Sequence, residues 1–284
     1  MTLSELYRKA RSDFRNAEID SPQYDAMCLI EHFFGVNRAE LVVKGDKSPK
    51  AEIEAEFLTA VEKRSSGYPL QYILGEWTFM DIPLFVGEGV LIPRDDTEIL
   101  VREAIKRVRG VENPKIIDLC SGTGAVAIAL ALAKAYPKAE IIAVELSDKA
   151  FSYLKENIKR NACENIKAIK GDVFRLYEEF SDNGFDAVLS NPPYIKTDII
   201  ATLAKEVQHE PKLALDGGKD GMIFYNSIIE NWKGKVKRNG FIGVEIGEDL
   251  TNEIVKLFKE NNFEDVYVLK DMAGLDRAVF GTVH

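Results

Sequence analysis

From residue 115 onward, short runs of β-branched and aliphatic residues alternate with segments of helical periodicity, and that alternation constrains the fold more than any other feature. Strands are predicted at 116–120, 140–144, 166–170, 185–190 and 241–246, with helices at 124–135 and 147–161 and a later one running through Phe258. Parallel neighbours need a crossover, so strands spaced by about ten to fifteen helical residues predict an α/β fold. The sheet should be mainly parallel, with helices on both faces. The last two strands, 266–269 and 278–282, are separated by too little chain for a crossover helix and are expected to run antiparallel.

The first 74 residues read differently. Leu3, Leu6, Tyr7, Ala10 and Phe14 recur on one helix face, and Ala26, Met27, Ile30, Phe33 and Phe34 repeat the pattern after Asp20-Ser21-Pro22. Gly35 ends that helix, Asn37 with Glu40 reads as a capping box, and Ile53, Phe57, Ala60, Val61 and Arg64 mark a longer helix. Residues 1–74 therefore predict a small helical bundle, 75–93 a β-hairpin linker, and 94–284 the α/β domain. Trp77 and Phe79 are expected to pack at the junction. In Arg94-Asp95-Asp96-Thr97-Glu98, an acidic residue or Thr97 is expected to cap a helix whose inner face is Leu100, Val101, Ala104, Ile105 and Val108.

A net charge of −9 argues against broad affinity for nucleic acid, because phosphate neutralisation needs a basic surface. Cys28, Cys120 and Cys163 offer neither a disulfide framework nor a zinc-ligand spacing. The amphipathic start lacks a signal-peptide core, and no later run approaches a membrane-spanning length. A cytoplasmic protein with no metal and no membrane partner is expected.

Four strand ends carry the candidate chemistry. Asp118-Leu119-Cys120-Ser121-Gly122-Thr123-Gly124 places a glycine-containing turn where the first strand of the sheet meets its helix, the crevice in which open α/β sheets bind ligands. It is not the dinucleotide fingerprint, since glycine is missing at the first and third positions. Glu145, with Leu146 behind it, ends the second strand where a carboxylate accepts the protons of a ribose diol. Asp172 follows the third strand and can accept from an exocyclic amine, with Val173 or Phe174 covering a purine face. The fourth strand runs into Asn191-Pro192-Pro193-Tyr194, where two prolines forbid continuation as helix or central strand. That turn offers an amide, two backbone carbonyls and an aromatic ring, which suit a planar substrate bearing an NH2 group.

Taken together, Asp118 to Gly124, Glu145, Asp172 and Asn191 to Tyr194 resemble the class I S-adenosylmethionine-dependent methyltransferases that act on nitrogen in a planar system. The resemblance implies a Rossmann-like fold, with Gly122 and Gly124 at the methionine moiety, Glu145 at the ribose and Asp172 with Val173 at the adenine. Asp118, Cys120, Ser121, Thr123, Leu146, Phe174 and Asn191 complete the expected cofactor site. Gln71 to Gly75, Leu91 to Glu98, Glu210 to Gly221 and Asp271 to Arg277 further resemble signatures of the protein-glutamine N5-methyltransferases that modify peptide chain release factors. Cys120-Ser121 departs from the family's usual leading glycine, and Asp95 stands where many members have proline.

The resemblance implies as substrate the glutamine of a Gly-Gly-Gln tripeptide in a class I release factor, with the helical bundle recognising the substrate protein. Asn191 and the Pro192 carbonyl are expected each to accept one N–H of the substrate amide, Tyr194 to stack on it, and Pro193 and Arg94 to line the substrate site. No covalent intermediate is expected. The competing readings are an adenine or guanine N-methyltransferase acting on a flipped base of DNA or RNA, and a non-catalytic adapter that senses S-adenosylmethionine. Glu98, His209 and Trp232 are expected to be structural or surface residues, and His32 and His284 carry no motif.

Overall fold

The computed structural model describes residues 1–132 and 138–284, so Tyr136 and the predicted extension of a helix to residue 135 lie outside the described residues. The chain divides into a helical unit, Met1–Glu76 with Ala204–His209, and an α/β unit, Trp77–Leu203 with Glu210–His284.

The helical unit contains α1 (Leu3–Asn16), α2 (Pro22–Phe34), α3 (Arg38–Lys44), α4 (Ala51–Ser65) and α5 (Leu70–Leu74). Thr2 with Glu5 forms a capping box on α1, and Asn37 with Glu40 forms the expected one on α3. Gly35 closes α2 in the left-handed conformation. Leu3, Leu6, Ala10 and Phe14 are buried as their spacing predicts, while α2 turns in Leu29 as well as Ala26 and Ile30. The buried Arg64 donates through Nε to Asp25 Oδ2 at 2.7 Å and through Nη2 to Glu206 Oε1 at 2.6 Å. Burial still raises the Asp25 carboxyl above its ordinary value, against the pull of the guanidinium. Glu206 comes from a short helix, α9, described below.

The α/β unit opens with β1 (Glu76–Phe79) and β2 (Ile82–Phe85), which pair as a two-stranded sheet across a tight turn at Met80 and Asp81, both at positive φ. Phe79 is fully buried in the core of this unit. A short 3₁₀ turn, Asp95–Thr97, then leads into α6 (Glu98–Arg107). The expected cap is absent: neither Arg94 nor Thr97 makes a side-chain capping bond, and the Thr97 hydroxyl is used elsewhere. Glu98 pairs with Arg102 one turn on.

There follow β3 (Lys115–Leu119), α7 (Ala125–Leu132), β4 (Glu140–Glu145), α8 (Asp148–Arg160), β5 (Ile166–Lys170), β6 (Phe185–Ser190), α9 (Lys205–Gln208), α10 (Ile223–Trp232), β7 (Val236–Glu245), α11 (Thr251–Glu260), β8 (Glu264–Lys270) and β9 (Asp276–Thr282). The larger sheet has the order β5-β4-β3-β6-β7-β9-β8. Its first five strands are parallel, and β9 runs antiparallel to both β7 and β8. The expected antiparallel pair is therefore present, with the final strand inserted inward of its predecessor.

Strands β3 and β6 are buried on both faces, which is why they read as continuous apolar runs. One face packs on α6 and α7, and the other on Tyr225, Ile228, Ile229 and Trp232 of α10 with Ile254 and Phe258 of α11. Trp232 is fully buried and donates its indole N–H to the Val173 carbonyl at 3.1 Å. Between β3 and β6 the strand order reverses direction in sequence. Ligands bind at such a switch point, outside the carboxyl ends of the strands.

Candidate active site

A cleft enclosing about 1010 Å3, open solvent included, lies at that switch point. Its wall includes Asp118, Cys120, Ser121, Gly122 and Thr123 after β3, Glu145 and Leu146 after β4, Asp172 and Val173 after β5, and Asn191 and Pro193 after β6, together with Arg94. Four strand ends singled out separately in the sequence are thus brought into one cavity. Gly124, Phe174, Pro192 and Tyr194 are not on its wall.

The turn after β3 is shaped by backbone conformation. Cys120, Gly122 and Gly124 have φ of 59°, 54° and 84°. Cys120 therefore takes a left-handed conformation, at a cost on the order of 1 kcal/mol for a side chain with a Cβ. Gly122 and Gly124 are glycines for different reasons. A Cβ at Gly122 would meet nothing nearer than Val90 at 4.0 Å, so the backbone there faces open space on the cleft side. At Gly124 a Cβ would stand 2.6 Å from Leu154 Cδ1, which makes this glycine a packing requirement between the turn and α8.

Glu145 is tied to this turn. Its Oε2 accepts the Gly122 N–H at 2.9 Å and its Oε1 accepts the Ser147 N–H at 2.7 Å. Burial raises its pKa, and these N–H groups pull the other way. Each oxygen keeps a lone pair for a ligand hydroxyl. Asp118 is almost fully buried, its Oδ2 has no hydrogen-bond partner, and burial pushes its pKa up to about 7. A buried carboxyl with one oxygen left without a partner, on the wall of a cleft, suits a cationic ligand group. Asp172 Oδ1 accepts the Phe174 N–H at 3.0 Å, which folds the turn after β5 and holds the carboxylate at the rim. The turn, the acids after β4 and β5 and the half-satisfied buried carboxyl of Asp118 together fit a nucleoside that carries a positively charged tail, as S-adenosylmethionine does.

The Asn191 turn is held from both sides. On one, Ile195 N–H donates to the Leu215 carbonyl at 2.9 Å and Gly217 N–H to the Ile195 carbonyl at 2.8 Å. A Cβ on Gly217 would lie 2.7 Å from Tyr194 Cα, and one on Gly221 2.6 Å from the Tyr194 carbonyl oxygen. The glycines of the 216–221 stretch thus let that loop lie directly on the turn's backbone. On the other, Asn191 Nδ2 donates to Thr97 Oγ1 at 3.1 Å, and the Thr97 hydroxyl donates to Glu245 Oε2 at 2.6 Å. The Tyr194 ring packs beside Gly247, and burial raises its hydroxyl pKa to about 12. Arg94 pairs with the buried Glu210 carboxylate and donates through Nη1 to the Ile92 carbonyl at 3.0 Å. His209 ends α9 and meets the Tyr68 ring edge-on within the helical unit.

Several wall residues escaped the sequence reading. Phe224, at the start of α10, lies on the wall, while Phe174 stands behind it at 4.9 Å between ring centroids. Val90, Leu91, Leu213 and Ala214 close the cleft from loops of the same unit. The aromatic and aliphatic spacing of 223–232 is a usable signal for α10, whereas Leu91 lies in the stretch that predicts a hairpin linker and Leu213 in a stretch that carries only a family resemblance.

Fold and strand-end groups define a Rossmann-like methyltransferase. Among solved structures, a methyltransferase from Pyrococcus furiosus matches with a TM-score of 0.52 and 16% identity, over 82% of this chain and 98% of that one. The hMettl16 catalytic domain in complex with MAT2A 3′UTR hairpin 6 matches with a TM-score of 0.59 and 15% identity, over 83% of each chain. Those likenesses are of fold. Family models described as "PrmC N-terminal domain" and "Methyltransferase small domain" match residues 5–75 and 95–227.

Relatives by sequence include the release factor glutamine methyltransferase of Thermodesulfovibrio yellowstonii, 36% identical over 90% of each chain. That of Clostridium botulinum is 35% identical over 98% of each chain. The chain belongs to the release factor glutamine methyltransferase family.

Proposed function

We propose that this enzyme transfers the methyl group of S-adenosylmethionine to the side-chain amide nitrogen (N5) of the glutamine in the Gly-Gly-Gln motif of class I release factors, in the cytoplasm. Among the described residues no helix is long and apolar enough to cross a membrane. A net charge of −9 is a poor match to a polyphosphate substrate. The observation that carries the reading is the orientation of Asn191: its Nδ2 is taken by Thr97, which leaves Oδ1 as an acceptor at the end of β6, in the same cleft as Glu145 and Gly122.

S-adenosylmethionine, when bound, supplies an electrophilic methyl on a sulfonium. Glu145 is assigned to the ribose hydroxyls, Cys120, Ser121, Gly122 and Thr123 with Asp118 to the methionine portion, and Leu146, Asp172 and Val173 to the adenine. Gly124 and Phe174 support that surface from behind. An amide nitrogen is a weak nucleophile, because its lone pair is delocalised into the carbonyl. Asn191 Oδ1 and the Pro192 carbonyl each accept one N–H of the substrate amide, which aims the nitrogen and favours pyramidalisation as positive charge develops. Gly247 takes one flank of the Tyr194 ring, and the reading gives the substrate amide the other. Pro193 and Arg94 form the approach. Of the barrier, about 7–11 kcal/mol is within reach of orientation alone, with stabilisation of the developing charge in addition.

The test is to incubate the protein with methyl-labelled S-adenosylmethionine and, separately, a class I release factor, DNA or RNA, and to locate the label by mass spectrometry. Label on the Gly-Gly-Gln glutamine is expected. Label on a nucleic-acid base and none on glutamine would overturn the acceptor assignment.

A further inference from the structure

Three elements meet at a buried junction that the cofactor chemistry does not explain. Thr97, from the 3₁₀ turn before α6, and Glu245, from the carboxyl end of β7, are both buried, with 4% and 2% of their surface exposed. Thr97 Oγ1 lies 2.6 Å from Glu245 Oε2 and 3.1 Å from Asn191 Nδ2. Strand β7 is the parallel neighbour of β6, so Glu245 stands next to the strand end that carries Asn191. Tyr225 of α10 fixes the same residue by donating its hydroxyl to the Glu245 backbone carbonyl at 2.9 Å.

The hydrogen count along this chain sets its direction. A carboxylate accepts only, so the single hydroxyl hydrogen of Thr97 goes to Glu245. What Thr97 then offers Asn191 is a lone pair, and the group of Asn191 that faces it must be the NH2. The amide oxygen is thereby left clear of Thr97, on a residue that lines the cleft. Without the carboxylate, the Thr97 hydroxyl is free to donate, and an Asn191 flipped by half a turn is equally well satisfied. A flipped amide would meet an incoming NH2 with its own NH2, donor against donor, where an acceptor is needed.

We propose that Glu245, acting through the Thr97 hydroxyl, is the positioning residue that sets which way round the Asn191 amide stands, with Oδ1 presented to the substrate N–H. The inference rests on the reading of Asn191 as an acceptor for the substrate amide. Burial pushes the Glu245 carboxyl up to about 7, and the charged and titratable groups facing it are Arg277 from β9, Asp96 and Arg94 beside the 3₁₀ turn, Tyr194 after β6 and Tyr225 on α10. Protonated Glu245 itself donates to Thr97 and releases the hydroxyl hydrogen toward Asn191, so one orientation of the amide is enforced when Glu245 is ionised and no longer enforced when it is not.

The experiment compares wild type, Thr97→Val, Thr97→Ser and Glu245→Gln in the full chain, with a class I release factor and saturating S-adenosylmethionine. It reads kcat, KM for the release factor and cofactor Kd, with kcat followed from pH 6 to 8.5. Thr97→Val is expected to lower kcat by at least about tenfold while KM and Kd stay within about threefold, since one oriented hydrogen bond is lost at the reacting centre. Thr97→Ser, which keeps the hydroxyl, should retain most of the activity. In the wild type kcat should rise through about pH 7 as Glu245 loses its proton. Glu245→Gln should be low and lack that rise. A Thr97→Val enzyme with near-normal kcat, or one whose loss appears wholly in cofactor affinity, overturns the proposal. If Thr97→Val gives no cooperative thermal transition, the pH profile of Glu245→Gln decides: a rise matching the wild type overturns it. Failure of the wild type to label glutamine overturns the acceptor assignment, and this inference with it.

Discussion

Glu145 and Gly122 are joined by a hydrogen bond of 2.9 Å in which the backbone N–H of the β3 turn donates to the acid at the end of β4. The carboxylate that is assigned to the cofactor ribose is therefore also the brace of the loop assigned to the methionine portion. Glu145→Ala should weaken S-adenosylmethionine binding through both effects. A rise in Kd of about 30-fold or more is expected by calorimetry, equal to roughly 2 kcal/mol, the scale of one charge-assisted hydrogen bond. An unchanged Kd would remove Glu145 from the site.

The two glycines of the β3 turn should separate in mutagenesis. Gly122→Ala keeps open space around its Cβ and pays only for a left-handed residue, about 1 kcal/mol, so its thermal midpoint should fall modestly while cofactor affinity drops. Gly124→Ala drives a methyl into Leu154 at 2.6 Å. It should lower the midpoint further, by the roughly 1–3 kcal/mol that overpacking costs in addition to strain. Equal midpoints for the two variants, measured by calorimetry, would contradict the different environments.

Asn191→Ala removes the acceptor proposed for the substrate amide without touching the cofactor turns. A fall in kcat of about 100-fold or more is expected, with cofactor Kd within about twofold, because an oriented polar group at a reacting centre is worth about that much. Asn191→Ala with normal turnover in a methyl-transfer assay would dismiss the amide clamp.

Asp118 and Glu245 give the cofactor-free protein a pH dependence whose sign follows from their environments. Burial lifts both from ordinary values of 3.8 and 4.5 to about 7. Between roughly pH 4 and 7 the folded chain holds protons that the unfolded chain has released, so their contribution is fully present below about pH 4 and is lost as pH rises through 7. The thermal midpoint should accordingly be pulled down between pH 5 and 8. Asp118→Asn should make that decline shallower, while weakening cofactor binding. An unchanged slope would show that Asp118 titrates normally.

In the helical unit, Arg64 is buried with Asp25 and also holds Glu206. Arg64→Ala leaves the buried Asp25 carboxyl without its guanidinium partner and should destabilise that unit by about 3–5 kcal/mol in denaturant titration. An apolar replacement of both partners should recover much of the loss.

What could be read directly was whatever is local. The runs that became β3 to β6 are apolar because both faces of those strands are covered, and their ends are marked by glycine, acid or proline within a few residues. The antiparallel ending followed from chain length alone. Thr97 looked like a helix cap because Ser, Thr and Asp before an apolar helix usually are. Its true partners lie 94 and 148 positions away, and only the adjacency of β6 and β7 brings them to it. Phe224 was missed for the same reason: the place of α10 over the cleft is set by sheet order. Cys120 hides a positive φ behind a side chain that rarely adopts one, so its backbone conformation is not legible from its residue type.

The assignment of 204–209 to the helical unit bears on how this gene can be cut. The polypeptide passes from one unit to the other at 76/77, again at 203/204 and again at 209/210. A single scission therefore cannot free either piece. Removing the first 74 residues deletes Arg64 and leaves Glu206 without that cation. On either side of that orphaned segment run the chain leaving Tyr194 and the stretch from Glu210 to Leu213 that reaches the cleft wall. A truncated enzyme would thus lack most of the helical unit while keeping its 204–209 segment, and poor turnover in such a fragment would say little about who recognises the release factor. Point changes on the outer faces of α1 to α4, in the uncut chain, are the cleaner way to ask that question.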